Sequence, residues 1–264
     1  MRANPVKQAL KSGKPSVGTW LSLGSIVACR FLARTGFPWL TVDIEHTHVD
    51  WETATHMFAA IADAGCVPLA RVPANRHDHI KRVLDNGAHG IVVPMVNTRQ
   101  EALDAVAACR YPPLGTRSVG GSVHALNFGT TAVDYFQNAD KEILIVLQCE
   151  SPQGVENADA ICSVPGVDAF FIGPNDLAAN MRSKDGKPPS AQATSEAMKH
   201  VLAACKKNGV AAGIHCFSVE EVQARIEEGW QFLAINSELR MMLEGVKNVL
   251  DRLGVKQEAA MAKY

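Results

Sequence analysis

The fold of this chain is decided by one stretch, Phe170-Phe171-Ile172-Gly173-Pro174-Asn175-Asp176-Leu177. Apolar residues run into Gly-Pro, and an acidic residue follows shortly afterwards. A short apolar run that stops at such a break is typical of a buried strand. The pattern therefore predicts a strand that ends near Gly173 and places Asp176 beyond its C-terminal end.

A second stretch of the same kind lies upstream, in Ile143-Leu144-Ile145-Val146-Leu147-Gln148-Cys149-Glu150. Glu150 and Asp176 would thus follow the C-terminal ends of two neighbouring strands. Two carboxylates are hard oxygen ligands, so the hypothesis is a shared divalent ion, Mg²⁺ or Mn²⁺, with Co²⁺ as an alternative. The plainer interpretation is that each carboxylate only caps the helix after its strand. That interpretation explains one such residue as well as a metal does, but it explains the pair less well.

Six further strands of this kind are predicted along the chain, each followed by an amphipathic helix or helix-containing sequence. They are residues 17–23, 39–42, 67–70, 90–93, 211–214 and 232–235. Alternating strands and helices indicate a parallel sheet, and eight repeats in a chain of 264 residues predict a closed (β/α)₈ TIM barrel. A doubly wound open sheet is the alternative, but no Gly-x-Gly-x-x-Gly follows any strand. We predict a single domain, 1–264, whose tail, 254–264, is either mobile or in contact with a neighbouring subunit.

The composition excludes several classes of partner. A net charge of −1 and a pI near 6.7 give no electrostatic reason to expect nucleic acid or an anionic membrane as a partner. No apolar run approaches the roughly 20 residues that span a bilayer, and the polar N-terminus lacks a signal-peptide core. The seven cysteines include no Cys-x-x-Cys pair. Buried, reduced thiols in a cytoplasmic protein are therefore expected.

Other strand ends carry residues suited to acid–base chemistry. The active site of such a barrel lies at the C-terminal ends of its strands. There His46 is a candidate base, and either Asp43 or Glu45 could orient it; the spacing does not distinguish them. Arg71 would stabilise an oxygen that gains negative charge, although a salt bridge inside the barrel is the simpler alternative. The long segment 111–141 precedes the Glu150 strand, so it is predicted to be a loop of the site.

Five motifs occur in order at these positions. They are Asp43-x-Glu45-His46, Arg71-x-Pro73, Arg110-Tyr111-Pro112-Pro113-x-Gly115-x-Arg117, Gln148-x-Glu150 and Gly173-Pro174-x-Asp176-Leu177. In these motifs the chain resembles the HpcH/HpaI family of pyruvate-dependent class II aldolases, from Gly18 to about Leu253. It is most similar to the branch of 2-dehydro-3-deoxyglucarate and 4-hydroxy-2-oxoheptanedioate aldolases.

The resemblance implies a phosphoenolpyruvate/pyruvate-type barrel, a homohexamer, and a role for each matching residue. Glu150 and Asp176 would bind the metal, His46 paired with Asp43 would be the base, and Arg71 would stabilise the enolate. The substrate would contact Trp20, Ser122, Gln148, Gly173, Asn175, Asp176 and His215. Three departures stand out: Ile44 in place of Gly, Thr116-Arg117-Ser118 in place of Ile-Arg-Gly, and His215 in place of an apolar residue, commonly Leu.

The expected activity is reversible cleavage of a 4-hydroxy-2-oxo acid to pyruvate and an aldehyde by a metal-dependent aldolase. Substrates of this type include 2-dehydro-3-deoxyglucarate and 4-hydroxy-2-oxoheptanedioate. One alternative is a related metal-enolate lyase of the citryl- or malyl-CoA type, although no basic patch for coenzyme A is evident. A non-catalytic barrel that binds a metabolite is the other alternative. The acid, base and cation set argues against it.

Overall fold

The computed structural model describes residues 1–255 and shows a closed barrel of eight parallel strands. Each strand pairs with the next along the chain, and β8 pairs with β1 to close the barrel. This confirms the predicted (β/α)₈ architecture. The strands are β1 (Ser16–Leu21), β2 (Trp39–Asp43), β3 (Val67–Arg71), β4 (Gly90–Val93), β5 (Leu144–Cys149), β6 (Ala169–Ile172), β7 (Ala211–Cys216) and β8 (Phe232–Ser237).

Helices surround the barrel, and α1 precedes its first strand. They are α1 (Pro5–Lys11), α2 (Ile26–Leu32), α3 (Trp51–Asp63), α4 (His77–Asp85), α5 (Arg99–Cys109), α6 (Val123–Asn127), α7 (Ala132–Glu142), α8 (Pro152–Glu156), α9 (Ala158–Cys162), α10 (Pro174–Asn180), α11 (Ala191–Asn208), α12 (Val219–Glu228) and α13 (Glu238–Arg252). Within residues 1–255 no helix is both long and apolar enough to cross a membrane. Most of the predicted tail, from residue 256 onward, lies outside the described residues.

The helix boundaries follow local side-chain chemistry. Ser25, Asp50 and Ser218 precede their helices, and each side chain accepts a hydrogen bond from a backbone N–H of the first turn. These bonds satisfy donors that a helix start would otherwise leave unpaired. Gly209 and Gly229 end α11 and α12 in the left-handed conformation, at φ 67° and 100°. The predicted caps are therefore confirmed.

The barrel interior is filled by large side chains opposite small ones. Trp39 and Phe232 stack there with ring centroids 4.4 Å apart. A Cβ atom on Gly18 would lie 2.2 Å from the Trp39 ring, so only glycine fits at that position of β1. A second apolar cluster lies between strands and helices, and all seven cysteines are buried. The inside of the barrel is therefore a packed core and not a channel.

The segment 111–141 corrects a prediction. It contains α6 and α7 and connects α5 to β5, so it reaches the barrel where the strands begin. The side-chain amide of Asn127, in α6, donates a hydrogen bond of 3.1 Å to the carbonyl of Gly87, which lies just before β4. In an alternating barrel every helix-to-strand connection lies at this end, opposite the active-site end. The segment is therefore not a loop of the cavity at the strand C-termini of its own chain.

Candidate active site

A cavity opens at the C-terminal ends of the strands. It is lined by Trp20, Asp43, His46, Arg71, Gln148, Glu150, Phe171, Gly173, Pro174, Asn175, Asp176, His215, Phe217, Asn236, Ser237 and Arg240. All of the predicted site residues except Ser122 are among them. Residues far apart in sequence meet here because parallel strands deliver their last residues to one end of the barrel.

Glu150 is the most buried acid of the cavity, with 2% of its surface exposed. Its Oε2 accepts a hydrogen bond from the Met95 N–H at 2.9 Å, and its Oε1 accepts one from Gln148 Nε2 at 2.9 Å. Burial, followed by the charges of Glu45 and Asp176, raises the pKa of Glu150 to about 7. Burial therefore disfavours the ionised form of this carboxylate, although Arg71 partly offsets the effect.

The residues around Glu150 fit a divalent cation. Asp176 lines the same cavity from the first turn of α10, directly after β6. A Cβ on Gly173 would lie 2.6 Å from Glu150 Oε1, so glycine leaves room for the carboxylate between the two strands. Within residues 1–255 no group of three or more His, Cys, Asp or Glu side chains forms a metal cluster. Glu150 and Asp176 are the residues that could hold such an ion, because carboxylate oxygens are hard ligands of the kind that Mg²⁺ and Mn²⁺ prefer.

Arg71 is held rigidly at the end of β3. Its Nε and Nη2 donate to the two carboxylate oxygens of Asp43 at 2.9 and 2.6 Å, a bidentate pair. Its guanidinium also lies 4.7 Å from the Trp20 ring centroid. Burial alone would lower the pKa of Arg71, but Asp43, Glu45 and Glu150 raise it. The salt bridge, which was the simpler interpretation, is present, and the guanidinium that it holds lines the cavity.

His46 and its carboxylate partner differ from the pairing that the resemblance implies. Asp43 accepts the backbone N–H of His46 at 3.4 Å, while its carboxylate is occupied by Arg71. The carboxylate nearest the His46 ring is Glu45, whose Oε2 lies 3.7 Å from Nε2. Burial, opposed by Arg71 and aided by Asp43 and Asp176, raises the pKa of Glu45 to about 7. In this structure Asp43 positions the His46 backbone, and Glu45 is next to the ring.

Several polar groups in the cavity lack protein partners. Trp20 Nε1 and Gln148 Oε1 are buried without a hydrogen bond in the described part of the chain. The first N–H groups of a helix have no partner within it, and Gly173 offers no side chain to cap α10. The N–H groups of Asn175 and Asp176, in the first turn of α10, therefore have no partner within the helix. Buried polar groups without hydrogen-bond partners are rare in folded proteins, and those that occur are often found where a ligand binds.

The wall formed by β7 and β8 includes residues that the sequence reasoning missed. His215, which was predicted, lies beside Trp20 and Phe217, at ring-centroid distances of 6.3 and 5.0 Å. Phe217, Ser237 and Arg240 were not predicted. One available signal was that β8 ends in a polar dipeptide and that Arg240 falls in the first turn of the next helix.

Ser122 does not lie where the resemblance places it. It precedes α6, which packs against α3 and α4 at the end of the barrel where the strands begin. It is exposed and does not line the cavity of its own chain. The physical reason is topological, because a residue between α5 and β5 belongs to the opposite end from Glu150. Ile44, another departure from the family pattern, is 7% exposed and joins the apolar core.

The raised pKa values predict an unusual dependence of stability on pH. Between about pH 4.5 and 7 the folded chain retains protons on Glu150 and Glu45 that the unfolded chain has released. In EDTA this contribution to the free energy of unfolding is complete below about pH 4.5 and is lost as the pH rises through about 7. For Glu150 it amounts to at most about 3 kcal/mol. Mg²⁺ binds the ionised carboxylates, so it should stabilise the chain more at about pH 7.5 than at about pH 5.

Thermal melts of the wild type and Glu150→Gln, with EDTA or Mg²⁺, check this expectation. The difference between the two proteins isolates Glu150 from Arg71, Asp176 and the surface carboxylates. In EDTA, we expect the melting temperature of Glu150→Gln to rise relative to that of the wild type as the pH increases. Only the wild type should gain stability from Mg²⁺. A difference independent of pH, or equal stabilisation of both proteins, would contradict the assignment.

The fold and cavity together define a class of protein. A TIM barrel whose mouth holds two carboxylates, a fixed arginine and a histidine has the elements of an enzyme that stabilises an enolate. The chain belongs to the HpcH/HpaI aldolase/citrate lyase family, whose model matches residues 16–244. It is an aldolase, a carbon–carbon lyase of the aldehyde-lyase type that acts on 4-hydroxy-2-oxo acids.

Relatives support this membership over nearly the whole chain. The chain is 37% identical over 249 residues to a 5-keto-4-deoxy-D-glucarate aldolase of Escherichia fergusonii, covering 94% of this chain and 96% of the relative. It is 37% identical over 257 residues to a hydroxypyruvate/pyruvate aldolase of Paraburkholderia phytofirmans, covering 95% and 97%. A crystal structure of a family protein from Burkholderia cenocepacia superposes with a TM-score of 0.87 at 35% identity, covering 95% and 99%.

Proposed function

We propose that this chain performs reversible retro-aldol cleavage with one divalent ion per site, Mg²⁺ or Mn²⁺, held by Glu150 and Asp176. The products are pyruvate and an aldehyde, and candidate substrates are 2-dehydro-3-deoxyglucarate and 4-hydroxy-2-oxoheptanedioate. The observation that carries the proposal is the buried Glu150, which lines one cavity together with Asp176 and Arg71. When bound, the cation supplies positive charge that stabilises the negative charge developing on the 2-oxo acid.

The arginine and the turn amides would hold the 2-oxo acid. Arg71 is fixed by Asp43, so its guanidinium needs no reorganisation to face the keto oxygen as that oxygen gains charge. The N–H groups of Asn175 and Asp176 are suited to the substrate carboxylate, because they begin a helix without an internal partner. Trp20 Nε1 and Gln148 Oε1 offer further hydrogen-bonding positions on the walls.

His46 is the proposed base. In the cleavage direction it takes the proton of the 4-hydroxyl, the C3–C4 bond breaks, and its electron pair passes into the enolate of pyruvate. The protonated His46 then returns a proton to C3 of the enolate, directly or by way of solvent, which gives pyruvate and restores the base. A positioned base of this kind contributes about 10²–10⁴-fold. Glu45, 3.7 Å from His46 Nε2, can stabilise the imidazolium that forms, while Asp43 positions the backbone and Arg71.

Pyruvate release tests the proposal. The purified chain should release pyruvate from a 4-hydroxy-2-oxo acid with Mg²⁺ or Mn²⁺, and EDTA should abolish the release. It should also exchange the C3 protons of pyruvate with solvent when no aldehyde is present. If neither reaction occurs with any 4-hydroxy-2-oxo acid, the barrel does not have the proposed activity.

We also propose that the chain acts in the cytoplasm as a homo-oligomer, a hexamer by family resemblance. Seven buried, unpaired cysteines suit a reducing compartment. Helix α13 has no buried residue, and Met242, Val246 and Val249 along it, with Leu253 directly after it, are 51%, 49%, 55% and 71% exposed. Such an apolar surface is typical of a contact between subunits. In such an assembly Ser122 could act only at the cavity of a neighbouring copy.

Two charges on α13 should weaken the assembly. We expect Val246→Glu combined with Val249→Glu to shift the chain to smaller species in sedimentation velocity, because the charges would have to be buried at the contact. A matched control, Lys247→Glu, changes charge on the same helix at a site that already pairs with Asp251. An unchanged sedimentation profile for the double variant would exclude this face as the contact.

A further inference from the structure

The wall of the cavity formed by β7 and β8 carries polar groups that no step of the proposed reaction uses. His215, Asn236, Ser237 and Arg240 line it, together with the ring of Phe217. The metal ligands, Arg71 and the turn amides are assigned to the 2-oxo acid half of the substrate. The β7–β8 wall is therefore left for the aldehyde half.

Arg240 is the wall's charged group. It lies in the first turn of α13, where its backbone N–H donates to Ser237 Oγ at 3.3 Å. Its guanidinium carbon is 5.2 Å from the Phe217 ring centroid, which holds the side chain against the wall. Within residues 1–255 its one salt bridge is from Nε to Glu244 at 2.9 Å, and Glu244 does not line the cavity.

The other arginine of the cavity is in a different situation. Arg71 is paired with Asp43 through both carboxylate oxygens, and Glu45 lies 3.3 Å from its Nε. Arg240 thus differs from Arg71 in having no carboxylate of the cavity as a salt-bridge partner among the described residues. A cation at a ligand-binding wall with no acidic partner from that wall is suited to an anion from outside.

Asn236 provides an independent sign that this wall receives a ligand. The residue is 7% exposed, and its Oδ1 is buried without a hydrogen-bond partner in the described chain. Its backbone adopts φ 50°, which is uncommon for a residue other than glycine. Strained backbone and unpaired buried polar atoms are features that accumulate at binding sites. A hydroxyl on the substrate would satisfy Asn236 Oδ1.

His215 adds hydrogen-bonding capacity but not charge. Burial, followed by the positive charges of Arg71 and Arg240, lowers its pKa to about 4. The ring is therefore neutral near neutral pH, and it can donate to or accept from a polar aldehyde. The formal charge of the wall is that of Arg240.

We propose that Arg240 binds a carboxylate carried by the aldehyde half of the substrate and so determines specificity for anionic aldehydes, while Asn236 Oδ1 accepts a hydrogen bond from a substrate hydroxyl. The proposal rests on the aldolase function given above. Pyruvate binds at the Glu150 and Arg71 side, and the second carboxylate lies at the β7–β8 wall. The preferred substrates are then dicarboxylates, with a hydroxyl beside the second carboxylate within reach of Asn236.

Paired aldehydes test this inference in the condensation direction. Succinic semialdehyde and butanal have the same chain length and differ in the terminal carboxylate. We expect Arg240→Met to lower kcat/KM for succinic semialdehyde by about 10- to 100-fold and to change that for butanal by less than about threefold. Arg240→Lys should retain part of the preference, since it keeps the charge without the fork of donors.

The control variant is Glu244→Gln, which removes the salt bridge within α13 but leaves the guanidinium in place. It should keep the preference for succinic semialdehyde. Equal losses for both aldehydes in Arg240→Met, or no loss for either, would overturn the inference. So would a loss in Glu244→Gln as large as that in Arg240→Met, because the role would then be structural.

Exchange of the C3 protons of pyruvate separates this inference from the function on which it rests. The exchange needs no aldehyde, so it should be equal in the wild type and Arg240→Met. If the wild type lacks exchange, the proposed function fails. If exchange is present and the aldehyde preference does not depend on Arg240, only the specificity assignment fails.

Discussion

Glu150→Ala is expected to abolish tight binding of Mn²⁺ while the barrel stays folded. Affinity should fall by more than about 100-fold, because losing a ligand should exceed the about 10- to 100-fold effect of changing a ligand's hydrogen-bonding partners. Cleavage should fall by at least about 10³-fold, since the cation's charge stabilisation is worth several kcal/mol. Isothermal titration with Mn²⁺ and pyruvate release measure the two effects.

The fold should survive this substitution for a physical reason. The variant leaves the N–H of Met95 and the amide of Gln148 without their acceptor. It also removes a carboxylate that burial destabilises in its ionised form, with a pKa raised to about 7. The loss of the acceptor lowers the free energy of unfolding, and the loss of the buried carboxylate raises it. Far-ultraviolet circular dichroism should therefore match the wild type. Mn²⁺ bound at wild-type affinity in a folded variant would refute the role of Glu150.

A variant that keeps the ligand gives a matched comparison. Gly173→Ala places a Cβ 2.6 Å from the position of Glu150 Oε1, so the carboxylate must move. Mn²⁺ affinity should drop by about 10- to 100-fold although both ligands remain. Gly120→Ala meets nothing within 4 Å and should leave the affinity unchanged. If Gly173→Ala binds Mn²⁺ normally, the ion does not lie at this turn.

Arg71→Lys is expected to reduce kcat by about 10²- to 10³-fold, the cost of losing one donor to a developing oxyanion. Lysine keeps the charge beside Asp43 but lacks the planar fork that makes two hydrogen bonds and lies over the Trp20 ring. Substitution by an uncharged residue would leave Asp43, which is 3% exposed, as a buried charge without its partner. Lysine therefore separates catalysis from folding.

Steady-state kinetics with a 4-hydroxy-2-oxo acid check this expectation. Arg76→Lys is the matched control, because Arg76 also pairs with an aspartate, Asp78, but on the exposed surface. It should change kcat by less than about twofold. A wild-type kcat for Arg71→Lys would show that Arg71 is only a structural salt bridge of the barrel.

The sequence by itself determined the barrel and most of the proposed site. Short apolar runs broken by Gly and Pro, with Ser25, Asp50 and Ser218 as helix caps, are local signals that act over a few residues. Once eight strands are parallel, topology brings their C-terminal residues to one end. For that reason Glu150 and Asp176 could be placed together from sequence alone.

The tertiary structure decided which end of the barrel each loop occupies and which side chains meet across the cavity. It placed Ser122 and the segment 111–141 at the end where strands begin, since they precede β5 rather than follow it. It showed Glu45, not Asp43, beside the His46 ring, because Asp43 is already occupied by Arg71. It also brought Arg240 to the cavity. The contacts between these side chains depend on distances between residues that are far apart in sequence. Local sequence patterns carry no information about such distances.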